Sequence, residues 1–131
     1  MVRRYPIDIR WSDLDPYRHV NHATYLSYCE SARIAFLDEI GFGMRRLAEL
    51  DAQIVITGVE ARFLVPAVEG MQPVVESEIV DMGRVRSTWR QRIVDGDTEL
   101  FTVDVHVAFT NLAGRPRRAP DGFVEAAEAA R

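Results

Sequence analysis

The stretch Asn21–Gly41, NHATYLSYCESARIAFLDEIG, decides the fold, because it predicts one long helix that must be buried. We expect Asn21 to be the N-cap of this helix, and Gly41 and Gly43 to end it. Polar residues are too few to form a wide solvent-facing side, so a sheet should wrap the helix. The main apolar stripe recurs at helical spacing and comprises Tyr25, Tyr28, Cys29, Ala32, Ala35, Phe36 and Ile40.

The residues on either side of this helix predict β-strands. Residues 5–11 alternate between apolar and polar side chains, with Trp11 on the apolar side, which is typical of a half-buried strand. Gly58 is expected to form a β-bulge. Further strands are expected over residues 53–65, 73–82, 85–94 and 99–111, with hairpin turns at DMGR and DGD and a short helix at the end of the chain. The order predicts a single α+β domain over residues 1–131, with a five-stranded antiparallel sheet around the helix.

Composition excludes several classes of protein. The 131 residues carry a formal net charge of −4, which disfavours a general nucleic-acid binder. No apolar run approaches the ~18 residues of a membrane span, and the N-terminus does not look like a signal peptide. Cys29 is the single cysteine, so no internal disulfide can form and a reducing compartment fits. We therefore expect a cytoplasmic protein with no membrane or nucleic-acid partner.

A polar cluster directly precedes the helix, in the stretch WSDLDPYRHVNHATY from Trp11 to Tyr25. Asp13 is expected to accept hydrogen bonds in a turn. Asp15 lies just before the helix start, where backbone N–H groups carry partial positive charge. A carboxylate facing such a helix end leaves room for a carbonyl group. The backbone N–H of His22, at the expected first helical position, would hold the carbonyl oxygen, and Asp15 would attack the carbon or activate water.

Other interpretations of the same residues remain. Asp13, Asp15, His19 and His22 have the residue types of a metal site, but nothing in their spacing fixes a ligand geometry, so no metal is expected. A phosphatase-type DxD is disfavoured, because the preceding strand alternates and is not continuously apolar. The His19 and His22 side chains are expected to make loop or cap hydrogen bonds. Glu30, a weaker choice of base, is expected to pair with Arg33 on the polar side of the helix.

Two groups of arginines could bind phosphates. Arg115, Arg117 and Arg118 follow the last strand, and we weigh a phosphate dock there evenly against a solvated surface. Arg86, Arg90 and Arg92 share one face of a strand, where a solvated surface is the preferred interpretation.

The stretch IRWSDLDPYRHVNHATYLSYCESAR resembles the opening of the hotdog-fold acyl-CoA thioesterases, in the 4-hydroxybenzoyl-CoA thioesterase branch. That resemblance implies a curved antiparallel sheet around a central helix, with two subunits joined edge to edge as a homodimer or homotetramer. It also implies active sites at the subunit interface and no cofactor. The matching residues are Asp13, Asp15, His19, Val20, Asn21, Tyr25, Glu30, Ala32 and Arg33.

The resemblance also assigns roles within the site. Asp15 is implied as the catalytic carboxylate, either nucleophile or general base, and the backbone N–H of His22 as the group that polarises the thioester carbonyl. The family often has Asn-Asn where this chain has Asn21-His22. An acyl-carrier-protein thioesterase and a non-catalytic acyl-thioester-binding protein remain as alternatives. The residues expected to bind the acyl-CoA substrate are His19, Asn21, Tyr25, Arg115, Arg117 and Arg118.

Overall fold

The computed structural model describes residues 2–130 as one five-stranded antiparallel sheet with three α-helices. The sheet has the strand order β1-β3-β4-β5-β2, so β1 and β2 are its edges. In chain order the elements are β1 (Arg3–Pro6), a 3-10 turn (Trp11–Asp13), α1 (Thr24–Glu39), α2 (Met44–Glu49), β2 (Gln53–Phe63), β3 (Val74–Met82), β4 (Arg86–Asp95), β5 (Thr98–Thr110) and α3 (Phe123–Ala129).

The core lies between α1 and the inner face of the sheet. Cys29 and Ala32 of α1 are at most 2% exposed, and Phe36 meets Trp89 of β4 edge to face at 5.0 Å between ring centroids. The expected alternation of β5 is confirmed, since its inward side chains are all at most 5% exposed. These are Phe101, Val103, Val105, Val107 and Phe109. The expected α+β fold, a sheet around a long helix, is therefore confirmed.

The bulge expected at Gly58 is also present. The pairing of β2 with β5 shifts register between Ile56 and Gly58. One extra residue on β2 keeps the side chains before and after the bulge on the same inner face. Ile56 is therefore paired with Val107 of β5, and Val59 is paired with Val105.

The first strand is shorter than residues 5–11, and that prediction is wrong. β1 ends at Pro6, opposite Val74, where β3 begins. Beyond this point Ile7 makes one more backbone hydrogen bond, to Pro73, and the chain then leaves the sheet edge. Trp11 lies in the 3-10 turn and is 82% exposed, because no strand remains for it to pack beside.

The start of the helix also differs from the expectation. α1 begins at Thr24, with Ala23 as its N-cap, so His22 is in a turn and is not the first helical residue. The Asn21 side-chain oxygen accepts a hydrogen bond from the Ala23 N–H at 3.0 Å. This local turn competes with helical capping and delays the helix. The far end agrees with expectation, because Gly41 takes a left-handed φ of 85° just after the helix.

The single helix covers the inner face of β2 only in part. Ile56 is 52% exposed, Val59 44% and Phe63 54%, although their partners on β5 are buried. α1 reaches this edge strand at Phe63, whose ring packs edge to face on that of Tyr25 at 5.4 Å between centroids, but it leaves these side chains half-exposed. Edge strands with apolar side chains are surfaces on which another chain can pair, and β2 is such a strand.

Candidate active site

Asp15 lies in a loop that closes around its own carboxylate. Its Oδ1 atom accepts backbone N–H hydrogen bonds from Tyr17 at 2.9 Å and from His19 at 3.1 Å. The Asp15 N–H donates to the carbonyl of His19 at 2.7 Å, which closes the loop. Within residues 2–130, the other oxygen, Oδ2, has no hydrogen-bond partner. One oxygen is thus fixed by the backbone while the other remains available.

Two pairings hold this loop in place. Leu14 and Val20 form an antiparallel bridge across its base, and His19 forms another with Val68 in the segment between β2 and β3. The Val20 N–H also donates to the Ala67 carbonyl at 2.8 Å. The loop conformation requires a positive φ of 65° at Arg18, which is uncommon for a residue other than glycine. Asp15 is therefore held by a rigid frame that includes residues distant in sequence.

The backbone at the start of α1 retains a free donor. The Thr24 N–H donates to the Asn21 carbonyl at 2.9 Å, and the Ala23 N–H is taken by the Asn21 side chain. The His22 N–H, by contrast, donates to no other group in the described part of the chain. It stands in the turn just before the positive end of the helix dipole. It can therefore still donate to a carbonyl oxygen, although from the turn and not from the first helical position.

Asp13 has a structural role, as expected. Its Oδ2 accepts the Arg10 N–H at 2.9 Å and the hydroxyl of Tyr28 at 2.7 Å. Burial of Tyr28, followed by this hydrogen bond, raises the pKa of its hydroxyl above the ordinary value, so Tyr28 is a donor here. The contact ties the loop to α1. No group of three or more His, Cys, Asp or Glu side chains in residues 2–130 could hold a metal ion.

The three residues predicted to contact substrate near Asp15 have different surroundings. Tyr25 is 4% exposed, and its hydroxyl accepts the Ala67 N–H at 2.9 Å, so in this chain it acts as a packing residue. Asn21 is exposed, and its side-chain oxygen is used in the turn. The partly exposed His19 ring lies 6.5 Å from that of Tyr17 between centroids. Of the three, His19 alone has a side chain that is neither buried nor used in a hydrogen bond within residues 2–130.

The arginines after β5 do not act as one group. Arg117 donates from Nε to the Arg118 carbonyl at 2.7 Å, and from one terminal nitrogen to the carbonyls of Leu50 and Asp51 at 2.7 and 3.2 Å. Its guanidinium therefore fastens the corner between α2 and β2, which argues against the phosphate role expected for it. Arg115 and Arg118 are exposed and remain candidates.

Two of the three arginines on the outer face of β4, Arg90 and Arg92, are engaged in ion pairs. Arg90 binds Asp104 through two hydrogen bonds of 3.0 Å, and Arg92 bridges Glu76 and Glu99 at 2.6 and 2.9 Å. The hydrogen bond from Arg90 lowers the pKa of Asp104 below its ordinary value. Cross-strand pairs of this kind neutralise the guanidinium groups, which supports a solvated surface over a phosphate dock.

The sequence did not predict the hydrogen bond between the buried polar side chains of Arg33 and Gln91. Arg33 is 9% exposed and donates to the side chain of Gln91 at 2.8 Å, and Gln91 donates to the Cys29 carbonyl at 2.9 Å. The expected ion pair with Glu30 is absent within residues 2–130, because Arg33 points toward the sheet and not along the helix surface. Cys29 itself is buried, which raises its pKa to about 12, so it is not a nucleophile.

Comparison with known proteins identifies the family. The family model for the thioesterase-like superfamily matches residues 9–127. An Arabidopsis thaliana protein named as a chloroplastic acyl-acyl carrier protein thioesterase is 30% identical over 87 residues, which cover 66% of this chain and 46% of that protein. The chain thus spans less than half the length of this plant relative. An Escherichia coli protein named as an acyl-CoA thioester hydrolase is 26% identical over 123 residues, which cover 92% of each chain.

A solved structure agrees with these relatives. A Thermus thermophilus thioesterase, crystallised with coenzyme A and Zn, superposes with a TM-score of 0.83. It is 28% identical, and the match covers 96% of this chain and 91% of that one. Three observations point to the same family: the strand order of the sheet, the long helix α1 behind the Asp15 loop, and a family match that spans residues 9–127. The chain therefore belongs to the thioesterase-like superfamily and has its hotdog fold.

Proposed function

We propose that this protein hydrolyses acyl-CoA thioesters to a free acid and coenzyme A, with Asp15 as the catalytic carboxylate. The observation that carries the proposal is the state of the Asp15 carboxylate, which has one oxygen held by two backbone N–H groups and the other unpaired. This arrangement directs one oxygen toward a reacting carbon without letting the side chain rotate. Such orientation is a large part of what an active site supplies.

The chemistry follows from the two groups at this site. The His22 N–H donates to the thioester oxygen and stabilises the negative charge that develops there. One such donor lowers the activation barrier by ~3–4 kcal/mol. Asp15 either attacks the carbonyl carbon to form an acyl anhydride, which water then cleaves, or removes a proton from an attacking water. In both routes the carbon–sulfur bond breaks, and the thiolate of coenzyme A leaves.

A homodimer formed through β2 would complete this site. Two copies of an edge strand related by a two-fold axis pair in antiparallel fashion. β2 has 11 residues, so its ends are about 33 Å apart at ~3.3 Å per residue. The Asp15 loop contacts Val68 beyond one end, and Arg117 contacts Asp51 before the other. The antiparallel pairing would bring Arg115 and Arg118 of one subunit to Asp15 of the other.

The exposed apolar residues of β2 support this dimer. Ile56, Val59 and Phe63 form a row on the inner face, each at least 44% exposed in the single chain. Burying such side chains removes an unfavourable contact with water, at roughly 25 cal/mol for each Å². The proposed dimer thus accounts for the uncovered face and also supplies the basic residues that a coenzyme A phosphate needs.

The test is thiol release, detected with a disulfide dye, from short, long, branched and aromatic acyl-CoAs. We expect hydrolysis by the wild type and its loss in Asp15→Asn, with an unchanged circular dichroism spectrum. A folded Asp15→Asn protein with near-normal turnover would overturn the role of Asp15. No hydrolysis by a folded wild-type protein would overturn the proposed substrate.

Hydrolysis of acyl-carrier-protein thioesters is the second candidate, favoured by the 30% identity to the plant relative. It would use the same Asp15 site, since the thioester and the leaving thiol are chemically alike. The two differ in what binds outside the site, because a carrier protein presents a protein surface and coenzyme A presents a nucleotide. A higher kcat/KM with an acyl-carrier protein than with the matched acyl-CoA would favour this candidate.

A further inference from the structure

Arg33 is a buried cation that forms no ion pair within residues 2–130, although the negative charge of Glu30 acts on it. It is 9% exposed, and within residues 2–130 no carboxylate lies within 4 Å of its guanidinium. Its one side-chain hydrogen bond is to the neutral amide of Gln91. A guanidinium has five N–H donors, so most of its donors are not used by the protein. Desolvation lowers the pKa of Arg33 from its usual value, yet arginine stays charged in proteins.

Two hollows meet at this residue. One, of about 140 Å³, is lined by Leu26, Ser27 and Val59 and lies toward the start of α1. The other, of about 120 Å³, is lined by Leu37, Met44 and Ile54 and lies toward its end. Arg33, Glu30 and Ile56 line both hollows. They form a mainly apolar groove between α1 and β2, on the face that the proposed dimer would cover, with Arg33 as the buried charge along it.

The hollow nearer the start of α1 is lined by Leu26 and Ser27, the third and fourth residues of the helix. Arg33 is nine residues after Thr24 in the helix, which corresponds to about 14 Å at ~1.5 Å per residue. Helical side chains lean toward the N-terminus of their helix, so the guanidinium is nearer to that end than its Cα. An acyl chain whose thioester sits at His22 and Asp15 would run along the groove and reach Arg33 with its far end.

The guanidinium of Arg33 has donors that the protein does not use and that reach solvent, since none of its nitrogens is a buried atom without a partner. An anion could therefore bind to its charge. Glu30 could partly offset the charge, but its side chain is exposed and forms no ion pair with Arg33 in the described part of the chain. A hydrocarbon chain alone would leave the guanidinium uncompensated. A carboxylate would match its planar fork with two hydrogen bonds.

We infer that Arg33 selects acyl groups that end in a carboxylate, so that the preferred substrates are ω-carboxyacyl thioesters and not simple fatty acyl thioesters. This inference rests on the proposed function, because it places the thioester at Asp15. Arg33 touches the far end of the substrate and takes no part in bond cleavage. Its removal should therefore change substrate preference more than it changes the rate with an uncharged chain.

The experiment compares substrates of equal length in one enzyme sample. kcat/KM is measured for hexanoyl- against adipoyl-CoA, octanoyl- against suberoyl-CoA, and decanoyl- against sebacoyl-CoA. We expect the wild type to prefer the dicarboxylic member at one length or more. In Arg33→Met the ratio should fall by about 10- to 100-fold, the effect of a lost charged hydrogen bond. Because it is a ratio, it does not depend on the fraction of folded enzyme.

Controls separate this effect from general damage. Arg33→Lys keeps the charge without the planar fork and should give an intermediate ratio. Arg45→Met removes an arginine whose side chain is 96% exposed, on α2, and should leave the ratio unchanged. A wild-type preference for the simple chain at every length would overturn the inference. So would a dicarboxylic preference that persists in Arg33→Met.

A binding measurement keeps the inference separate from the proposed function. Thioether analogues of octanoyl- and suberoyl-CoA cannot be hydrolysed, and their Kd values can be measured by titration calorimetry. Tighter binding of the suberoyl analogue by the wild type, lost in Arg33→Met, supports Arg33 as an anion receptor even if no thioester is hydrolysed. Equal binding of both analogues alongside hydrolysis of octanoyl-CoA would overturn the inference and leave the proposed function intact.

Discussion

The two ends of β2 differ in how their charged residues are used. At the end near Val68, the loop frame leaves one Asp15 oxygen unpaired. At the end near Asp51, the guanidinium of Arg117 is occupied by backbone carbonyls, and Arg115 and Arg118 remain exposed. We propose that the first end carries out the chemistry and that the second binds the substrate. Because the ends of β2 are about 33 Å apart, the proposed site would combine them only across two copies of the chain.

The largest expected effect is a loss of kcat on substitution of Asp15. Substitution of Asp13, only two residues away, should not cause the same loss. Asp15→Asn should lower kcat at least ~10³-fold, because the nucleophile or base is lost, while Oδ1 of the amide still accepts its two backbone bonds. Asp13→Asn should instead lower the melting temperature, because Tyr28 and Arg10 lose their charged acceptor. Thiol-release kinetics and thermal melting of both variants test this contrast. Equal losses of kcat in the two would contradict it.

Dimer formation through β2 can be broken directly. Val59→Arg places a charge in the exposed apolar row and should yield a monomer with about 10²-fold lower activity, since buried unpaired charge is strongly disfavoured at an interface. Sedimentation at several protein concentrations measures the assembly state. Val2→Arg, at the opposite side of the sheet and also exposed, is the matched control. A dimeric and active Val59→Arg protein would show that β2 is not the interface.

The two exposed arginines should act on substrate binding alone. Arg115→Ala with Arg118→Ala should raise KM about 10-fold with little change in kcat, as expected for lost uniform binding of a phosphate. Mixing this variant with Asp15→Asn gives a sharper result. If Asp15 and the arginines belong to different subunits, half of a random mixture is mixed dimers with one intact site each. Activity at low substrate should then return to about a quarter of the wild-type value.

Arg117 should affect folding more than binding. Arg117→Ala removes hydrogen bonds to three backbone carbonyls, of which only the bond to Leu50 is partly buried. It should cost about 1 kcal/mol of unfolding free energy, since these acceptors lose a charged donor. Chemical denaturation measures this loss. KM should change less than in the Arg115/Arg118 variant. If KM rose more than in that variant and stability did not fall, Arg117 would be a substrate-binding residue after all.

The smallest expected effect concerns the ion pair between Arg90 and Asp104 on the outer face of the sheet. The folded-state pKa of Asp104 is lowered by Arg90, so this pair stabilises the fold above the carboxyl's ordinary pKa of about 4. The stabilisation is lost as pH falls through the lowered folded-state value. Asp104→Asn should therefore flatten the decline of melting temperature below about pH 4, with no change in activity. An unchanged acid profile would show that the ion pair adds no stability.

The sequence determined the elements whose causes are local. The alternation of β5 and the stripe of α1 follow from side-chain periods, and the Gly58 bulge and the end of α1 near Gly41 follow from backbone freedom. Asp13 and Asp15 could be singled out because they precede a helix. Asn21 shows the limit of this reasoning, since the same side chain can cap a helix or close a turn, and the turn was formed.

Tertiary structure alone decided what depends on distant residues. β1 ends at Pro6 because β3 begins at Val74, and nothing near Pro6 in sequence states this. The Asp15 loop is held by Ala67 and Val68, the Arg117 guanidinium by Leu50 and Asp51, and Arg33 by Gln91. Periodicity tells which way a side chain points, but which partner stands there depends on how the chain packs.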